Sequence, residues 1–223
     1  RRVCPEFVQR AARPAAIAAA LAPLTDRASP RRRDLLTAAG VNFDVIPSTL
    51  PEPTHRVASS PEQWAQSLAY FKARAVAEAH PERIVLGADT VCALGDEILG
   101  KAANATHARA ILRKLSGTRH AVVTGVALCG PEGRRLIASQ TPGVQITPMS
   151  DADIDAYIES GEWVGKAGAY AIQETADRYI EHLDGSFDNV VGLPVDLVGH
   201  MLSRMEYLPC TCNDHIQLTG SLE

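Results

Sequence analysis

An aspartate that directly follows an apolar run and a glycine is placed to do chemistry. In Ile84-Val-Leu-Gly-Ala-Asp89 the run reads as a short buried strand, with Asp89 at its mouth. A carboxylate there can take a proton from water, ligate a hard metal ion, or cap its own turn through its side chain. A second group of interest is Ser29-Pro-Arg-Arg-Arg33. Ser29 suits an N-cap and Pro30 the first helical position, where no N–H is needed. Three arginines in the first turn work against the helix dipole, because that end is already partly positive. They are accounted for by an anion seated on the helix start, since free N–H groups and guanidinium forks together bind phosphate; the plainer alternative is a solvated basic patch. Glu52, Lys72 and Lys101 also fall at or near the ends of expected elements, where sites are built. Taken singly, Lys72 reads as a lysine snorkelling from the edge of an apolar stripe and Lys101 as a solvated turn residue.

The elements that must position these groups follow from the apolar spacing. A helix is expected from Pro30 to Ala39 with Gly40 as its stop, then a strand through Val41, Phe43 and Val45. Ser60-Pro-Glu-Gln63 is a capping box, and Trp64, Leu68, Phe71 and Ala75 form the apolar stripe of the helix behind it. Val91–Leu94 and Glu97–Leu99 flank Gly95-Asp96 as a hairpin, which sets Leu94 opposite Glu97 and Thr90 opposite Lys101. A regular strand would send Asp89 and Thr90 to opposite faces, so the strand is expected to end or bulge there for both to reach one cleft. Ala108, Ile111, Leu112 and Leu115 mark a helix ended by Ser116-Gly117. Two long strands, His120–Cys129 and Leu136–Thr147, should follow around the turn Gly130-Pro-Glu-Gly133. Ser150 should cap a helix that stops at Gly161; a glycine-containing loop, Lys166 to Gln173, then enters a strand. A strand at Tyr179–Leu183 and a helix from Pro194 to about Met205 complete the domain. Irregular alternation with at least two hairpins argues for α/β with a mixed sheet.

The bulk numbers narrow the classes. The chain has 223 residues, 46% apolar and 22% charged, enough for a large core. A net charge of −4 speaks against non-specific nucleic-acid binding, so any anion site must be a local concentration of cations. Five cysteines without a C-x-x-C pair suit a reducing compartment. Cys210-Thr-Cys212 with His215 has the ingredients of a metal clip, but two thiols in a tail read more simply as incidental. No apolar run is long enough for a membrane span. The alanine-rich Ala15–Leu24, after Arg10 and Arg13, has a trace of a targeting segment and reads better as a frayed helix ahead of the domain. Because the first residue is Arg1, the natural start is expected to lie elsewhere. The expected organisation is an N-terminal extension over 1–23, one domain over 24–205, and a loose tail over 206–223.

Several motifs occur in one order: Ser29-Pro-Arg-Arg32 followed by Leu35-Leu36, Gly87-Ala-Asp-Thr-Val91, Leu99-Gly-Lys101, Leu115-Ser-Gly117, Thr124-Gly-Val126, Lys166-Ala-Gly-Ala-Tyr-x-Ile-Gln173 and Asn189-Val-Val-Gly-Leu-Pro194. This series resembles the Maf family of nucleoside triphosphate pyrophosphatases, also called septum-formation inhibitors, and covers roughly Leu24 to Met205. The Lys-Ala-Gly-Ala-Tyr version is similar to the branch that acts on dTTP and UTP. The resemblance implies an α/β fold with a bent mixed sheet flanked by helices, related to inosine-triphosphatase-like enzymes, with the nucleotide in a cleft between two lobes. It implies cleavage between the α and β phosphates, giving the monophosphate and pyrophosphate with a divalent ion, Mg or Mn. Asp89 resembles the family's proton acceptor. Ser29, Arg31, Arg32, Lys72 and Lys101 match its phosphate-side residues, Glu52 an acid that helps hold metal or water beside Asp89, and Arg31, Thr90 and Gln173 its substrate-choice positions. The implied partner is a nucleoside triphosphate, modified nucleotides included, with no nucleic acid or membrane, in a cytoplasmic setting; a homodimer stays open. A nucleotide-binding regulator of cell division with weak or no catalysis is the alternative, and a purine-preferring enzyme a third. The chain departs from the family pattern at Arg27, where the usual loop has a serine, and at Glu174, where a glycine is frequent; Pro23 and Asp26 interrupt the apolar run before the loop.

Overall fold

The computed structural model describes residues 17–21, 23–24, 27–47, 53 and 60–207. In chain order the elements are β1 (Ile17–Leu21), β2 (Pro23–Leu24), β3 (Arg27–Ala28), α1 (Pro30–Ala38), β4 (Phe43–Val45), α2 (Pro61–Ala77), β5 (Ile84–Leu94), β6 (Glu97–Leu99), α3 (Ala105–Leu115), β7 (Arg119–Cys129), β8 (Arg135–Gln140), β9 (Gly143–Ile146), α4 (Asp151–Ser160), β10 (Ile180–Asp184), α5 (Phe187–Val191) and α6 (Val195–Tyr207). Eight strands form one mixed sheet in the order β10-β9-β7-β5-β1-β4, with β6 added to β5 and β8 to β7. β1 runs parallel to both β4 and β5, and the remaining pairs are antiparallel.

The long strands β5 and β7 carry the whole construction. On one face, Gly87 and Gly125 lie directly beneath α2. A Cβ on Gly87 would come 2.8 Å from the Ala73 amide nitrogen, and one on Gly125 would come 2.5 Å from that of Gln66. Only bare glycine permits this approach of backbone to backbone. The helix answers with Ala65, Ala69 and Ala73, all fully buried, and with Leu68, Lys72 and Val76 on the adjoining row. The apolar stripe expected through Trp64, Phe71 and Ala75 is therefore the flank of α2, and the alanines are its inner face. Sheet proximity selects small side chains over large ones here, and apolar spacing alone does not register that.

On the other face two apolar clusters sit at opposite ends of the same strands. Leu36 of α1 and Val198, Met201, Leu202 and Met205 of α6 pack on Leu86, Ala88, Val126 and Leu128. Ile111, Leu112 and Leu115 of α3 and Ile154 and Tyr157 of α4 pack with Cys92, Val122, Val144 and Ile146. Between the clusters lies one polar cross-strand pair, Thr90 and Thr124. The two clusters meet at that pair.

Several local expectations are revised. Ile17–Leu21, inside the stretch assigned to an N-terminal extension and read there as a frayed helix, is a strand sandwiched between β5 and β4. Alanine favours helix intrinsically, but a place between two strands overrides propensity. β5 runs unbroken through Asp89, with neither an end nor a bulge. Leu94 does oppose Glu97, but the ladder stops at Cys92 and Leu99, so Thr90 pairs across to Thr124 and Lys101 bridges Ala167. The second long strand is interrupted after Gln140, where Pro142 cannot donate to a ladder, and becomes β8 and β9. The segment after Gln173 stays out of the sheet and winds into a 3-10 turn, Thr175–Tyr179. The Ser150 cap is complete: its hydroxyl accepts from the Asp153 amide, and the Asp153 carboxylate accepts from the Ser150 amide.

Candidate active site

Among the described residues, β5 lacks a neighbour on one side over part of its length, and the site lies there. β1 pairs with β5 only as far as Ala88, and β6 joins only from Cys92. Among the described residues, Asp89–Val91 therefore have a partner strand on one side alone, namely β7. Side chains from both faces of β5 reach that open edge. Asp89 and Thr90 accordingly line one cavity without any bulge.

The cavity measures about 300 Å³. Ser29, Arg31, Arg32, Lys72, Asp89, Thr90, Lys101 and Gln173 all line it. Glu52 and the side chain of Arg27 lie outside the described residues, as does the Cys210-Thr-Cys212 and His215 group. Lys166, not singled out beforehand although it opens a quoted motif, also lines the cavity, as does Val164, 62% exposed at the mouth.

Each side chain has a structural reason for its place. Lys72 follows Leu68 by four residues and is turned into the sheet with it, so it is buried rather than snorkelling, 2% exposed. Its ammonium donates to Asp89 Oδ1. Two buried opposite charges in contact compensate each other, and removing either would strand the other. Arg32 lies one helical turn before the fully buried Leu36, so it too faces inward. Its Nε donates to the Gly192 carbonyl at 2.8 Å and its Nη2 to Thr90 Oγ1 at 3.1 Å. Ser29 makes no side-chain cap bond, contrary to expectation. Its backbone, φ −49° and ψ 111°, departs from the extended geometry of the Ser60 and Ser150 caps. The first turn of α1 holds no acid, only three arginines.

The Lys166–Gln173 loop forms the opposite wall. Gly168 N donates to the Leu99 carbonyl at 3.1 Å, Ala171 N to the Tyr157 hydroxyl at 3.2 Å, and Tyr170 Oη pairs with His120 Nε2 at 2.7 Å. Burial pushes the His120 pKa down to about 4 and raises the Tyr170 hydroxyl well above its ordinary range. Lys166 is ion-paired to Glu174 at 2.6 Å. Gln173 is exposed at the rim. Among the described lining residues, Arg31, Arg32, Lys72, Lys101 and Lys166 thus surround the single acid Asp89.

A sheet edge that opens into a cleft walled by guanidinium and ammonium groups around one carboxylate is the construction of a polyanion-binding α/β protein. The chain belongs to the Maf-like protein family, which it matches over residues 27–205. It is 40% identical over 178 residues to a dTTP/UTP pyrophosphatase of Ruminiclostridium cellulolyticum, a match spanning 79% of this chain and 92% of that relative. It is 44% identical to a dTTP/UTP pyrophosphatase of Caulobacter vibrioides, over 82% of this chain and 94% of the relative. Among solved structures it is similar to a HAM1 protein from Coxiella burnetii, at 15% identity and TM-score 0.48, over 85% of this chain and 99% of that one. No helix of the described residues is long and apolar enough to cross a membrane.

Proposed function

We propose that this chain hydrolyses nucleoside triphosphates, dTTP and UTP foremost, to the monophosphate and pyrophosphate. The observation that carries the reading is the convergence of Arg31, Arg32, Lys72 and Lys101 on the cavity that holds Asp89. Its further support is family membership and relatives at 40% identity and above that are named for this reaction.

Chemically, a water oxygen attacks the α phosphorus, the bond to the α–β bridging oxygen breaks, and pyrophosphate leaves with its electron pair. Asp89 is the base that takes the water proton. Lys72 holds that carboxylate and balances its charge inside the wall. Charge builds on the leaving pyrophosphate, and the surrounding cations oppose it without having to reorganise. Arg32 is firmly oriented among them, being anchored at two of its nitrogens. The described residues contain no cluster of three metal-binding acids, histidines or cysteines. Asp89 has a second oxygen besides the one on Lys72, and Mg²⁺ is commonly held by one or two carboxylates together with substrate phosphates, so the residues fit such an ion. When bound there, the ion would neutralise phosphate charge. At the rim, Gln173 offers an amide donor and acceptor to a pyrimidine edge. The buried free thiols of Cys92 and Cys129 support a reducing, cytoplasmic setting.

The test is incubation of purified protein with dTTP, UTP, GTP and 7-methyl-GTP in Mg²⁺ or Mn²⁺, with monophosphate and pyrophosphate as the readout. Preferential cleavage of dTTP and UTP is expected. Asp89→Asn should lower turnover by roughly 10²–10⁴-fold, the range for losing a general base. Binding without product would replace the hydrolase with the regulator, and parental turnover in Asp89→Asn would remove Asp89 from the mechanism.

A further inference from the structure

Two of the ordered motifs, Thr124-Gly-Val126 and Asn189-Val-Val-Gly-Leu-Pro194, contribute no charged group to the chemistry above. Both converge behind Arg32. Thr124 is fully buried on β7, directly across from Thr90 on β5. Its hydroxyl donates to the main-chain carbonyl of Asn189 at 3.0 Å. The Thr90 and Thr124 hydroxyl oxygens lie 2.9 Å apart, with either atom able to donate when that pair is taken alone.

The rest of the network decides the direction. A carbonyl oxygen only accepts, so the single Thr124 proton is committed to Asn189. The Thr90 hydroxyl also lies 3.4 Å from the Gly192 carbonyl, but the 2.9 Å approach of the two hydroxyls needs a proton between them, and with the Thr124 proton committed Thr90 supplies it. A guanidinium only donates, so Thr90 accepts from Arg32 Nη2. The chain of donation therefore runs one way, from Arg32 to Thr90 to Thr124 to Asn189.

We infer that Thr124 is a positioning residue that commits the Thr90 proton to the interior, leaving Thr90 an acceptor-only clamp on Arg32. The end of the relay is itself anchored. Asn189 is fully buried, its Nδ2 donates to the Val122 carbonyl at 2.8 Å, and its amide donates to the Ser186 hydroxyl at 3.2 Å. The residue that follows α5 supplies the second grip on the guanidinium, through the Gly192 carbonyl. The short helix α5 thus fixes Arg32 by two routes, one direct and one through two hydroxyls. With one lone pair taken by Arg32, Thr90 consequently has a single lone pair and no proton left for the cavity. It repels phosphate oxygens and base carbonyls and accepts only donors, such as a ring N–H or a sugar hydroxyl.

This inference rests on the cavity taking a polyphosphate, so its test separates binding from cleavage. Affinity for inorganic tripolyphosphate and for UTP is measured by calorimetry, beside kcat, KM and melting temperature. Thr124→Val should weaken both ligands by about tenfold, the upper end of the scale for one lost hydrogen bond between neutral groups. KM should rise and kcat should fall with it, because Arg32 meets both the bound triphosphate and the leaving pyrophosphate, while the pH profile of kcat should stay in place, because Asp89 lies on the opposite face of β5. Thr124→Ser restores the hydroxyl and should bring affinity back to within about threefold. Thr124→Ala should repeat the loss if the valine variant folds poorly. In a Thr90→Val background, Thr124→Val should add nothing, since its effect is routed through Thr90. Wild-type affinity in both Thr124→Val and Thr124→Ala, or additive losses with Thr90→Val, would overturn the inference. Wild-type protein that binds tripolyphosphate but leaves UTP uncut would remove the hydrolase and leave the relay standing. Wild-type protein that binds neither ligand would overturn both.

Discussion

Gly125→Ala is the substitution that ties the fold most directly to the chemistry. The added Cβ would sit 2.5 Å from the Gln66 amide nitrogen and closer still to the Ala65 carbonyl, where ordinary contact begins at 3.4 Å. The obstacle is helix backbone, so no rotamer change relieves it. α2 must lift from the sheet by about 1 Å, a displacement of the kind that overpacked cores make at about 1–3 kcal/mol. The same helix carries Lys72 onto Asp89 two turns further along. A shift of that size at a catalytic pair costs about 10²-fold in rate. The expected result is a folded protein with a lower denaturation midpoint and a pyrophosphate-release rate down by about two orders of magnitude. Adding Ala65→Gly should rescue neither, because it removes a methyl group and leaves the offending carbonyl. Parental stability and turnover in Gly125→Ala would show that α2 does not depend on this contact to place Lys72. Rescue by Ala65→Gly would show that the side chain, and not the backbone, sets the spacing.

Two further substitutions test the wall opposite. His120 titrates at about 6.5 when exposed and at about 4 in the folded protein, so the unfolded chain binds the extra proton first as pH falls. Its contribution is therefore whole above pH 6.5 and lost progressively down to about pH 4, a total of about 3 kcal/mol. His120→Phe should flatten the stability difference across that window in urea titrations, and equal slopes for the two proteins would refute the assignment. Glu174→Gly removes the carboxylate now paired with Lys166. The released ammonium should lower KM for UTP a few-fold and make it more salt-dependent; an unchanged KM at both low and high salt would mean that Lys166 does not reach the substrate.

The expected elements that appear in the structure are those whose reason is local. α3 follows from its apolar spacing, and α4 from a serine cap and a glycine stop. The β5–β6 register follows from a two-residue turn. Arg31, Lys72, Asp89 and Lys101 do converge, although Lys72 lies inside α2 and Asp89 in the middle of β5 rather than at the ends of their elements. The failures share a different cause. β1 is alanine-rich and is a strand because strands flank it, which no window of its own sequence states. The inner face of α2 is set by two glycines on two other strands. Asp89 and Thr90 reach one cavity because, among the described residues, β1 and β6 leave the same three residues of β5 unpaired on one side, not because β5 bends. The direction of the Thr90 proton depends on four residues from four segments, each an ordinary choice by itself. Local pattern therefore placed the charged groups around the cleft, while what holds them in register is written only in pairings between distant segments. Substitutions at Gly125 and Thr124, which bear no charge and line no cavity, should for that reason disturb the chemistry as much as many that do.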